Sequence, residues 1–230
     1  MKNFKILSGS ALKMIAMVTM LVDHFALIIL SQLPWATEPF FANLSFYYLC
    51  RRVGRLSFPI FCFLLVEGFL HTKNRKKYGV SLAVFALLSE VPFDLMIHGT
   101  HFSPSSQNIF FTLLLGFLLC LVLEKVKDPL KLFLCLAGLL AACILVNADY
   151  GVRGFFLIGL LYVLRDKKLL SAFFAYPLLS GGFAALAAFV PIGMYNGERG
   201  FIKAKWLKYA FYIFYPLHIL VILGIRDMII

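Results

Sequence analysis

Negative charge is what this chain has least of. Against 22 Lys and Arg stand 11 Asp and Glu, and charged residues of both signs make up only 14% of its 230 residues. A chain that is 62% hydrophobic cannot coat a water-facing exterior with so little polar material. Lipid has to be the solvent for most of it. Other absences narrow the chemistry. No GxSxG elbow, GxxxxGK[ST] loop, HExxH pair or Cys/His zinc spacing occurs, so the local signatures of hydrolase, P-loop and zinc chemistry are missing. The five cysteines form no CxxC pair and mostly fall in apolar runs, where they read as small packing residues rather than disulfides or metal ligands; no metal is expected. No internal repeat or low-complexity tract breaks the chain, and its length fits one membrane-embedded domain over 1–230.

What is present is a series of apolar runs. A helix needs about 20 apolar residues to cross lipid, and its backbone must be paired internally. Runs near 11–31, 54–71, 78–98, 108–124, 130–147, 151–165, 169–191 and 206–225 predict an all-α, polytopic transmembrane bundle of about eight spans. The fifth and sixth are parted only by Asn147–Tyr150. The stretch from Leu33 to Arg52, aromatic and interrupted by Pro34 and Pro39, predicts an interfacial loop with a short helix. The first run continues past Asp23 and His24 with no small-residue cleavage site closing it, so an uncleaved first span is expected rather than a signal peptide.

The net charge of +11 is concentrated in connectors, which argues against a nucleic-acid face. One alternating set holds Lys2 and Lys5, Lys73 to Lys77, Lys125 to Lys131, Arg165 to Lys168, and Arg226. The positive-inside rule puts that set in the cytoplasm, giving both chain ends inside. Arg51, Arg52, Arg55, Arg153 and Arg199 then stand out on the opposite side, as do Lys203 and Lys205 in the last loop. Arg51 and Arg52 alternatively anchor their span at lipid phosphates.

Polar groups inside the spans are costly and mark sites. Asp23 and His24 sit in the outer half of the first span; Glu90 and Asp94, at i and i+4 around Pro92, share a face of the third; Asn108 opens the fourth; Asp149 and Arg153 flank the start of the sixth. Lys13 and His24 are eleven residues apart, about three turns, and share a face at different depths. Asp23 points about 100° away from its neighbour His24, so a carboxylate from another helix, Glu90 or Asp94, is expected to orient that ring. His218, in Tyr215–His218, is either a site residue or a packed histidine bonded to a carbonyl.

Several stretches resemble the TraX family of conjugative-transfer proteins: Ser10–Lys13 with Leu21–His24, Arg52–Phe61 with Val66–Phe69, His71–Asn74, Leu88–Asp94, Gln107–Thr112, Asp149–Gly151 with Gly154, Tyr195–Gly197 with Arg199 and Gly200, and Phe214–His218. The match covers nearly the whole chain in the family's order. It implies a membrane acyltransferase of the bacterial cytoplasmic membrane, the founding member being associated with N-terminal acetylation of conjugative pilin. The family is distantly similar to polytopic acyltransferases that modify extracytoplasmic sugars, whose first span carries a basic residue and a histidine with ten positions between. Lys13 and His24 keep that spacing, with Lys where Arg is commoner.

The reading this yields is transfer of an acetyl group from cytoplasmic acetyl-CoA to an exported acceptor, either a peptide amine or a glycan. His24 acts as base, with Asp23, Glu90 and Asp94 as catalytic candidates. Lys13, Arg52, Arg55, Asn108, Asp149, Arg153, Asn196, Arg199 and His218 are candidates for holding substrate. A proton-coupled transporter built on the same acidic and histidine groups, or a non-catalytic scaffold of a secretion or conjugation machine, are the alternatives.

Overall fold

The computed structural model describes residues 5–41, 44–202 and 207–229; Lys2, Lys203 and Lys205 lie outside them. The described residues contain no strand, only isolated bridges. In chain order the α-helices are α1 Gly9–Ile28, α2 Pro34–Thr37, α3 Phe46–Gly54, α4 Ser57–His71, α5 Arg75–Leu88, α6 Glu90–Ile97, α7 Ile109–Lys125, α8 Pro129–Val146, α9 Gly151–Val163, α10 Lys168–Ala175, α11 Gly182–Leu186, α12 Phe189–Gly193 and α13 Leu207–Ile229. Four helical runs are long and apolar enough to cross a membrane: Gly9–Gln32, Phe46–His71, Pro129–Val146 and Tyr209–Ile229. The pair α5 and α6, bent by 44°, makes a fifth if it counts as one span. The bend follows from Pro92, whose ring crowds the carbonyl of Leu88 four residues back, where α5 ends. At 17 residues α7 falls just short of that length, and α9 has 13. The helix does stop at Val146, because Asn147 adopts a left-handed conformation (φ 48°) and Tyr150 another (φ 62°) before α9 begins.

The expected span at 169–191 is not one helix. It consists of α10, a single 3₁₀ turn at Tyr176–Leu178, α11 and α12. Pro177 removes an N–H, and Gly182 sits at φ +55°.

The chain forms two compact units, one of residues 1–61 with 181–230 and one of residues 62–180. In the first, α3 packs along the C-terminal part of α1, and Ala26, Leu30 and Ala36 form a small core covered by Leu33, Tyr47 and Cys50. Gly54 lets the two helices close up, since a Cβ there would fall on the Asp23 side chain. The loop ahead of α13 is tied to the start of α1. Leu7 N donates to the Met194 carbonyl, Asn196 N to the Leu7 carbonyl, and the amides of Gly9 and Ser10 to the carbonyls of Glu198 and Arg199.

Helix α13 runs in the same direction as α1. The Lys13 ammonium lies 5.1 Å from the centroid of the Phe211 ring, and His24 meets His218 further along both helices. Two parallel helices that both cross a bilayer begin on one face and end on the other. That geometry is at odds with chain ends on one side, and it returns Arg199 to the end of α1 where Lys5 lies rather than to the far face. From Gly181, packed against Cβ and Cγ of Arg55, the chain runs back through α11 and α12 to Met194 beside Leu7.

In the second unit α7 is central, packing on α5, α8 and α9. Gly116 faces Ile158 and Gly159 faces Leu119, small residues that let α7 and α9 approach where lipid supplies no hydrophobic drive. Leu115, Leu119, Cys143 and Phe155 form the core there, which is the packing role expected of Cys143. At the far end of α7 Arg75 pairs with Glu124 and lies over the Phe69 ring, 4.3 Å from its centroid.

Candidate functional site

The histidine of the first span has a partner, and it is another histidine. Nδ1 of His24 lies 2.7 Å from Nε2 of His218. The ring planes are 6° from parallel with centroids 4.9 Å apart. An N···N separation of 2.7 Å is shorter than stacked rings can reach, so the imidazoles meet edge to edge in a hydrogen bond. His218, 5% exposed, stacks on Phe214 at 4.7 Å, and Tyr215 stands edge-on to both histidines. The second Nδ1 is committed as well: that of His218 lies 2.7 Å from the carbonyl of Phe214, one turn back on its own helix. The helix is loosened at this level by Pro216, which lacks an N–H. The ring orientation expected from Glu90 or Asp94 is thus supplied by α13.

One residue earlier on α1, Asp23 turns to α3. Its Oδ2 is 2.8 Å from Nη1 of Arg51, and Oδ1 is buried with no hydrogen-bond partner among the described residues. Arg51 therefore does more than anchor a helix at headgroups. Arg52 is exposed and lies over the Tyr48 ring, 4.6 Å from its centroid, as a surface residue would. Arg55 caps α3 and is half-buried against Gly181.

Lys13 is half-buried about 16 Å along the helix from His24, by the rise per residue. The loop carrying Asn196 and Arg199 meets α1 at this end. The Arg199 carbonyl accepts from Ser10 Oγ at 2.7 Å while its side chain is exposed, and Asn196 Oδ1 accepts from the Glu198 amide, closing the turn.

The other expected residues lie in the second unit and close its turns. Asn108, fully buried, caps α7: Oδ1 accepts from Phe110 N, and Nδ2 donates to the Ala86 carbonyl and to Glu90. Glu90 also accepts from the Asn108 amide at 2.9 Å. Asp94, fully buried, accepts from the Ser103 amide at 2.8 Å through Oδ2, with Oδ1 unpartnered among the described residues. Asp149 caps the amide of Tyr150, and its carbonyl accepts from Thr112. Arg153, in the first turn of α9, is exposed.

The signal that spacing alone misses is Phe211, Phe214, Tyr215 and His218 on one stripe of α13 at i, i+3, i+4 and i+7. It is the stripe facing α1 and the source of the His24 partner.

Fold and site define a class first: an all-helical protein with several helices of membrane-crossing length and ionisable side chains paired between them. The chain belongs to the TraX family, whose model, described as "TraX protein", matches residues 8–226. It is also similar to the "Probable fimbrial assembly protein FimC, serogroup H1" of Dichelobacter nodosus, 31% identical over 92% of this chain and 93% of the relative. No solved structure matches it.

Proposed function

We propose that the chain is a membrane acetyltransferase, taking the acetyl group from acetyl-CoA at one face and passing it to an amine or hydroxyl at the other. The observation that carries this reading is the imidazole of His24, held through Nδ1 and with Nε2 bonded to nothing among the described residues. A neutral imidazole held in this way presents a lone pair aimed to take a proton as the reaction proceeds. The acceptor nitrogen or oxygen attacks the thioester carbonyl, forming the new amide or ester bond. His24 takes the acceptor's proton, the carbon–sulfur bond breaks, and the proton passes to the departing CoA thiolate. Lys13 and the exposed Arg199, at the far end of α1, offer cationic groups to the phosphates of the donor, and Arg55 is available to the developing oxyanion at the His24 end. The relative's name, that of a fimbrial assembly protein, favours a fimbrial subunit as acceptor. It equally suits a non-catalytic assembly factor, and the assay separates the two. Purified protein in lipid nanodiscs, given acetyl-labelled acetyl-CoA and a peptide with a free N-terminus, transfers label if the reading holds; absence of label from peptide, sugar and protein alike overturns it.

The membrane arrangement proposed with this function has the start of α1 inside and the end of α13 outside. Residues 168–193 then enter and leave on one face instead of crossing, and seven crossings remain. This brings Arg199 into the positive-inside set and leaves Arg226, at the end of α13, on the outer side. Alkaline phosphatase fused after Ile230 is active in this arrangement, and fluorescence of a green fluorescent protein fused at that point would refute it.

A further inference from the structure

We infer that His218 is a positioning residue that fixes the tautomer of His24, so that Nδ1 of His24 carries the proton and Nε2 presents the lone pair. The inference rests on the acetyltransferase reading for its consequence, though not for its geometry. The Phe214 carbonyl has no proton to give, so Nδ1 of His218, 2.7 Å from it, must be the donor. A neutral imidazole carries one N–H, and Nε2 of His218 is therefore bare. Across 2.7 Å it faces Nδ1 of His24, which must supply the hydrogen. Nε2 of His24 is left as the acceptor, and it is the nitrogen with no partner among the described residues. The direction of the whole chain is thus set by one backbone carbonyl on α13.

The pair also has somewhere to send charge. When Nε2 of His24 takes a proton, its Nδ1–H already points at a bare nitrogen. The Nδ1 proton can pass across the 2.7 Å N···N hydrogen bond to Nε2 of His218, which places the imidazolium on a ring whose Nδ1–H is held by a carbonyl dipole. The proton count is unchanged by that shift: His24 returns to neutral with its proton on Nε2, and His218 holds two. Asp23, the carboxylate nearest in sequence, is committed to Arg51. A second histidine takes the place that a carboxylate holds in a nucleophile–histidine–acid arrangement.

The test uses full-length protein in nanodiscs with ¹⁵N-labelled histidine rings, the five signals being assigned by substitution. In the parent protein His24 is expected to show a protonated Nδ1 and an unprotonated Nε2. In His218→Phe, which keeps an aromatic ring on Phe214 and removes the acceptor, His24 is expected to shift toward the Nε2–H form. His218→Gln, whose Oε1 can accept near the lost Nε2, is expected to restore the original pattern. In acetyl transfer, His218→Phe should lower kcat about 100-fold or more with KM little changed, and His218→Gln should recover most of it, because a wrong tautomer removes the base without removing the site. A parent His24 protonated on Nε2, or the same His24 pattern in parent and His218→Phe, overturns the inference. So does a loss of kcat that Gln fails to recover while the tautomer stays put. The NMR arm needs no substrate, so an inactive parent protein would refute the acetyltransferase reading and leave the tautomer to be judged separately.

Discussion

The two units treat their polar groups differently. In the unit built on α7, the side chains of Asn108, Glu90 and Asp149 are joined to backbone amides and carbonyls of neighbouring turns. In the unit built on α1, the polar pairs join side chain to side chain across the long helical runs, away from the ends of those runs, His24 to His218 and Asp23 to Arg51. The cross-helix pair of the α7 unit, Arg75 with Glu124, instead sits where α5 begins and α7 ends. Bonds to backbone close the ends of helices where lipid offers no water, and they fix architecture. A pair of ionisable side chains within the helical runs, away from their ends, is not needed to close anything. The histidine pair leaves Nε2 of His24 with no partner among the described residues, and chemistry is the better account of it.

Substitution should separate the two kinds. The largest effect falls on activity: His24→Gln is expected to lower acetyl transfer at least about 1,000-fold while leaving thermal stability within about 1 kcal/mol, since the side chain is half-buried and closes no turn. Full transfer by that variant would remove His24 from the mechanism. The opposite signature is expected of Asn108→Ala. Losing the cap and leaving Glu90 and the Ala86 carbonyl unanswered should destabilise the fold by about 2–3 kcal/mol, with transfer per folded molecule changed less than threefold. An Asn108→Ala protein that is as stable as the parent but inactive would erase the distinction between the units.

A smaller, mixed effect is expected at the boundary between chemistry and architecture. Asp23→Asn keeps the shape beside Gly54 but leaves the Arg51 guanidinium without its counter-charge, at a cost of about 1–2 kcal/mol. Arg51→Met with Asp23→Leu removes both charges and should regain most of that stability, measured by thermal unfolding in the same lipid. If the double variant is less stable than either single one, the pair is not the unit it is taken for.

Much of this is legible in the sequence. The helical class follows from run lengths, and the break at Asn147–Tyr150 lies where four residues of turn character interrupt the apolar pattern. The bend between α5 and α6 follows from Pro92. Three things were not legible, each for a physical reason. Hydropathy cannot tell a single helix from an apolar segment that breaks, so the interruption at Pro177 and Gly181–Gly182 is hidden inside the run 169–191. The helical period places His24 and His218 on faces of their own helices but does not say which helices meet. Charge type suggested a carboxylate for His24 because such partners are common, whereas the fold commits Glu90 to Asn108 and Asp94 to Ser103. The family resemblance draws attention to the stretches that hold Lys13, His24 and His218 and leaves their pairing open.

The smallest effect is expected at Arg52, and it tests the comparison from the other side. Arg51 and Arg52 are neighbours of the same type at the same depth, yet only Arg51 reaches Asp23; Arg52 lies exposed over Tyr48, its Nη2 a long 3.4 Å from the hydroxyl. If pairing across helices decides which charges matter, Arg52→Gln should change stability by less than about 0.5 kcal/mol, as surface substitutions do, and transfer by less than twofold. Arg51→Gln in the same assay should give a loss several times larger on both scales. The residual effect of Arg52 should depend on the lipid, vanishing in nanodiscs without anionic headgroups, because a snorkelling guanidinium gains its energy from phosphate. An Arg52→Gln protein that loses transfer in neutral and anionic lipid alike would move this side chain from the membrane surface into the site, and exposure would no longer separate the two arginines.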